Sequence, residues 1–201
     1  MRPIGFKNLS SKNLPYDAEV EWIRSDGNAY LNIGKLIFDT SSYIEIKFKK
    51  NRSSEGMLGT GSIHKSPVFT HDWFGAITSE GKKRVVRNFD TTADHVTSID
   101  FSTNTFKIDG NIITPEDFNK FSPHQTDPDC YIFWCSSNEG KWSGRIYYIK
   151  ISTNSKTFDF IPVRFTNKNG VSDGAMYDRI SGRLFRNSGT GAFIIGPDKT
   201  T

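Results

Sequence analysis

The chain has 201 residues, 24% of them charged, with 26 Lys plus Arg against 22 Asp plus Glu and a formal net charge of +4. That length supports a single hydrophobic core, and no apolar run approaches the roughly 20 residues of a membrane span. Outside Lys82, Lys83, Arg84 and Arg87 the basic residues are scattered, so neither a membrane nor nucleic acid is an expected partner.

Residues 1–15 are polar, hold two prolines and show no periodicity. They contain no apolar h-region or cleavage pattern, so no secretory signal peptide is expected there. We read them as an N-terminal arm ahead of one domain over residues 16–201. From there, apolar alternation at period two, broken by turn residues every 8 to 12 positions, predicts an all-β sandwich or barrel. The run Tyr43-Ile-Glu-Ile-Lys-Phe-Lys-Lys50 sets Ile44, Ile46 and Phe48 on one face and Tyr43, Glu45, Lys47 and Lys49 on the other. Similar units occupy residues 17–23, 29–33, 73–78, 84–89, 95–101, 105–108, 111–114, 130–136, 145–152, 157–165 and 192–195. Ser25-Asp-Gly-Asn28, Asp109-Gly-Asn111, Asn167-Lys-Asn-Gly170 and Ser181-Gly182 place a glycine where turns need positive φ. Thr114 as N-cap, Pro115 at the first position and the acids behind it predict one short helical turn over residues 114–120.

Cys130 and Cys135 stand five apart. In one continuous strand their thiols point to opposite faces about 16 Å apart, too far for a disulfide, and they read as buried small hydrophobes. Pro162 removes a ladder donor and is expected on an edge strand or bulge. Asp178, ahead of Ser181-Gly182, is expected to cap the amides of a tight turn.

The order of motifs resembles the laminin-G-like, concanavalin-A-type jelly rolls of gut-bacterial surface proteins and their phages. Glu21-Trp-Ile-Arg-Ser-Asp-Gly-Asn-Ala-Tyr-Leu-Asn-Ile-Gly34 is similar to the family's opening hairpin, Phe74-Gly-Ala-Ile-Thr78 to its middle strand, and Arg145-Ile-Tyr-Tyr-Ile-Lys-Ile151 to the strand entering the last hairpins. Phe160-Ile-Pro-Val-Arg164, Met176-Tyr-Asp-Arg-Ile-Ser-Gly182 and the run from Phe185 to Phe193 resemble its closing motif. The resemblance covers roughly residues 17–197. It implies a jelly-roll sandwich of two antiparallel sheets with about 12–14 strands.

Catalytic signals are absent from this reading. Carboxylate pairs of glycosidase type are missing, and Asp17, Glu19 and Glu21 read as a solvated edge. His64, His71, His95 and His124 have no partner nucleophile and read as loop or surface residues. Residues 56–61 lack the Lys-Ser/Thr of a phosphate loop. Asp26, Asn28, Asp127, Asp129 and Asp173 offer loop oxygens for calcium but no dense ligand spacing, so no cofactor is expected. The chemical expectation that remains is carbohydrate binding, which pairs an aromatic face with amides and carboxylates. Trp73 beside Asp72, and Trp142 beside Asn138, are the candidates. Core packing of both rings is the competing reading, while Trp22 and Trp134 are expected in the core.

The expected function is a non-catalytic virion module: a bacteriophage head- or tail-associated decoration or fibre protein, part of an oligomer or larger assembly. Residues 1–15 would contact other virion proteins, and the sandwich would face a host cell-surface glycan. Its place would be the virion surface after assembly in the host cytoplasm. The alternative is a carbohydrate-binding module of a bacterial surface or secreted polysaccharide-processing protein.

Overall fold

A computed structural model describes residues 14–51, 55–60, 67–70, 73–78, 81–82, 85–86, 93–103, 105–113, 124–125, 129–134 and 140–200. It is an all-β sandwich of two main sheets, and the described residues contain no helix. The turn expected over 114–120, Asp72, Asn138, Cys135 and Asp127 lie outside the described residues.

The large sheet is built on β5 (Tyr43–Lys49), β11 (Asp94–Asp100), β12 (Thr105–Ile108), β13 (Asn111–Ile113), β17 (Arg145–Ser152), β18 (Thr157–Thr166), β19 (Ser172–Asp178) and β20 (Arg183–Phe185). Their order across the sheet is β13-β12-β11-β5-β17-β18-β19-β20, all antiparallel. Three short strands complete it: β1 (Ala18–Glu19) against β18, and β2 (Ile23–Ser25) between β17 and β21 (Phe193–Ile195). The second sheet runs β10-β8-β7-β6-β15-β3. These are β3 (Leu31–Gly34), β6 (Glu55–Thr60), β7 (Pro67–Thr70), β8 (Trp73–Thr78), β10 (Val85–Val86) and β15 (Cys130–Ile132), with β9 (Gly81–Lys82) beside β8 and β16 (Gly140–Lys141) parallel to β6. A ribbon of β4 (Ile37–Phe38) with β14 (His124–Gln125) stands apart.

Among the described residues 21 β segments stand against the expected 12–14, because a predicted run can divide and because eight strands, β4, β6, β7, β9, β14, β16, β19 and β20, lie outside the predicted runs. Residues 17–23, for example, divide into β1 and β2 around Val20, which bridges to Asp198. The predicted run 130–136 stops at Ile132 because Phe133 takes φ +69°, a left-handed conformation that ends an extended strand. The continuous strand expected to carry both thiols is therefore broken at Phe133. Cys130 itself is a free, buried thiol, pushed up to about 12 by burial.

Ile44, Ile46 and Phe48 of β5, Ile146, Ile149 and Ile151 of β17, and Phe158 and Phe160 of β18 meet Leu31, Leu58 and Ile132 of the second sheet in one core. Gly27, Gly110, Gly170 and Gly182 all have positive φ, as the turn chemistry predicts. Pro162 lies on an interior strand in regular register with β19, contrary to the edge strand or bulge expected for it. It sits where β18 passes from β17, whose pairing ends at Phe160, to β1, which begins opposite Val163, and its carbonyl accepts from the Val20 N–H. The lost donor is tolerated at that handover. His95 is also inside rather than on a loop: it packs against Phe48, and its Nδ1 lies 2.8 Å from Asp109.

Trp142 is the largest fully buried side chain among the described residues, edge-on to Phe48 with centroids 5.8 Å apart. Gly144 gives it room, because a Cβ there would collide with the indole and with the Lys49 carbonyl. Truncating Trp142 to Ala should cost about 3–5 kcal/mol of stability, as aromatic core truncations do, and Gly144→Ala should also destabilise. Denaturant unfolding of the two variants checks both, while reductant should leave the wild-type melting temperature unchanged.

Candidate functional site

Strict alternation in a strand sends adjacent side chains to opposite faces, yet Tyr147 and Tyr148 of β17 share one. The register explains it: Ile146 stands opposite Phe48 and Tyr148 opposite Lys47, so Tyr147 is an inserted, bulged residue. The inward series Ile146, Ile149, Ile151 is thereby kept in the core. Both phenol rings are left half-buried on the outer face of the large sheet.

Charged and hydrogen-bonding groups surround the pair. The Tyr147 hydroxyl donates to Asp94 Oδ1 at 2.7 Å, and Lys47 Nζ lies 4.8 Å from its ring centroid and 3.5 Å from Asp94. Lys150 Nζ stands 5.1 Å from the Tyr148 centroid and donates to Glu45 at 2.9 Å, while the Tyr43 hydroxyl donates to Glu45 at 2.6 Å. Burial pushes Glu45 upward, but these hydrogen bonds outweigh it and hold the carboxyl below its usual range. Burial, with Glu45 alongside, pushes Tyr43 and Tyr148 up to about 12. Glu21 and Lys199 close a shallow groove of about 370 Å³ with Lys47, Asp94 and the two tyrosines. At its end the Trp22 ring carries the Arg145 guanidinium at 4.2 Å.

The structure redistributes the four tryptophans. Trp142 has no face for a sugar, because its ring fills the core. Trp73 lies in β8, with its backbone opposite Val86. Trp22 and Trp134, expected inside, are only half-buried; Trp134 packs on Tyr30 and Tyr131. Sequence reasoning missed Tyr147 and Tyr148 because a bulge changes the face of a residue without changing its neighbours in the chain.

A larger cleft, about 460 Å³, opens between β3, β18 and β20 and includes Asp178, Arg183 and Phe185. Its carboxylate is already committed: fully buried, Asp178 accepts from the Asp159, Ile180 and Ser181 amides and the Ser181 hydroxyl, which is the predicted turn cap. Arg183 lies over the Phe185 ring at 5.2 Å, as Lys47 and Lys150 lie beside the two tyrosine rings, but the cleft's other ring, Phe158, is buried, so one aromatic ring is presented here against two in the tyrosine groove. Of the loop oxygens weighed for calcium, those of Asp26 accept from the Asn28, Ala29 and Ala192 amides, and these bonds overcome burial to lower its pKa. Among the described residues no group of three or more His, Cys, Asp or Glu could hold a metal ion.

No family model matches the chain, and no curated protein matches it in sequence. The arrangement itself offers paired aromatic faces with carboxylates, amines and phenols at their rims, a set suited to ring stacking and hydroxyl recognition.

The same groups predict a pH profile. A carboxyl lowered on folding stabilises above its unfolded pKa and loses that contribution as pH falls through the folded value, so Glu45 should weaken the protein in acid. Phenols raised from 10.0 to about 12 act in the opposite sense, with stability falling between those two pH values. Melting temperature against pH should show both losses, and Tyr148→Phe should reduce the alkaline one.

Proposed function

We propose that the protein is a non-catalytic, lectin-like module of the concanavalin-A-type jelly-roll class that holds a saccharide across Tyr147 and Tyr148. The observation that carries this reading is the bulge, which sets two neighbouring phenol rings on one face inside a ring of Asp94, Glu45, Lys47 and Lys150. Sugar rings present apolar C–H faces to aromatic groups and hydroxyls to polar ones, and the groove supplies both. In this reading the module belongs to a virion, as a bacteriophage decoration or fibre protein. Residues 1–15 anchor it to other virion proteins and the tyrosine face looks toward a host glycan. The motif order supports that setting, and the sheet face supports the chemistry.

Tyr147→Ala and Tyr148→Ala should each weaken glycan binding by about 1–3 kcal/mol, the scale of an aromatic anchor, while the melting temperature changes little. Glycan-array screening followed by titration calorimetry measures it, and unchanged affinity in both variants would overturn the reading. Deleting residues 1–15 keeps the Tyr16 ring on Tyr177 and the Asp17 amide on the Arg164 carbonyl. The shortened protein should melt as the full chain does and fail to enter the particle.

A further inference from the structure

Beside the tyrosine groove three cations stand in one row across three strands. Arg145 of β17 is in register with Arg24 of β2 on one side and with Lys49 of β5 on the other. Like charges directly opposite one another in a sheet are destabilising, so the row is an unfavourable arrangement for the fold alone. Together with Lys50, Asn51 and Gly144 the three line a recess of about 120 Å³ that includes no carboxylate among the described residues. The acid nearest in register, Asp94 opposite Lys49, is engaged by the Tyr147 hydroxyl and Lys47. Among the described residues Arg24 Nε is buried with no hydrogen-bond partner, a state costly for an ordinary buried donor and more so for a charged one. Arg145 is held in place by the Trp22 ring.

We propose that the saccharide on the tyrosine platform is acidic, and that its anionic substituent seats in this recess between Arg24, Arg145 and Lys49. The inference rests on the platform reading and adds the ligand's charge. The recess holds the volume of a few waters, at about 30 Å³ each: too little for a sugar ring and enough for one carboxylate or sulfate. Guanidinium forks match either group with paired N–H donors. Arg145 adjoins Tyr147 through Ile146, so ring and charge are read by one strand.

The test titrates the full chain with neutral, uronate-bearing and sulfated oligosaccharides of the same backbone, at low and at physiological salt. Wild type should prefer an acidic form, more strongly at low salt, and whichever arm binds identifies the anion. Arg24→Gln and Lys49→Gln should each remove roughly tenfold of that affinity, about one charge-assisted hydrogen bond. They should leave neutral-sugar binding unchanged and should not lower the melting temperature, since each relieves repulsion. Lys49→Gln carries the test if Arg24→Gln fails to fold. Neutral sugar bound as tightly as both acidic forms, or an acidic preference intact in the variants, would overturn the anionic seat and leave the platform standing. Acidic binding that survives Tyr147→Ala and Tyr148→Ala but not Arg24→Gln would remove the platform and keep the seat. Absence of binding to every form overturns both.

Discussion

Strand β17 is the constraint around which the sandwich is arranged. Within eight residues it pairs with β5 along most of its length, with β2 at Arg145 and Ile146, and with β18 from Ile149 onward. Its inward isoleucines carry much of the contact between the sheets. Because three partners fix its register, the extra residue at Tyr147 cannot be absorbed by a slip, which would carry Ile149 and Ile151 out of the core. The outer face therefore receives two phenols in succession as a direct consequence of how the inner face is packed.

Electrostatics on that outer face are uneven. Around Tyr148 the charges are matched: Glu45 accepts from Tyr43 and Lys150. Four residues toward the other end of β5, Lys49 faces Arg145 and then Arg24, and among the described residues the recess between them includes no acid. The two ends of one sheet face thus differ in what they lack. The first is internally satisfied and offers mainly ring surface and spare lone pairs, whereas the second has donors in excess of acceptors. Under the proposed reading, a ligand spanning both would be recognised by shape at one end and by charge at the other.

Local physics was legible where it is local. The period-two run from Tyr43 placed Ile44, Ile46 and Phe48 inward, four turn glycines took positive φ, and Asp178 capped its turn as its spacing to Ser181-Gly182 implies. What one sequence could not show depends on pairing between distant segments. Trp142 stands outside any alternating run, and its burial follows from docking on Phe48 beside Gly144. Phe133 ends β15 with a backbone conformation that its residue type does not announce. The Tyr147 bulge and the row Arg24, Arg145, Lys49 exist only once β2, β5 and β17 are in register, across more than a hundred residues of chain. The fold class was therefore readable from periodicity, whereas the candidate site had to wait for the sheet.

Gly144 joins two otherwise separate tasks. One side of it lines the cationic recess, and the other is pressed against the Trp142 indole and the Lys49 carbonyl. Recess and core are divided there by a single residue with no side chain. If the face binds a glycan as proposed, the charged rim can vary, but the recess cannot be deepened at this point without disturbing the core. Diversification of this face should accordingly proceed by exchange of side chains at Arg24, Lys49 and Lys50 around a fixed floor.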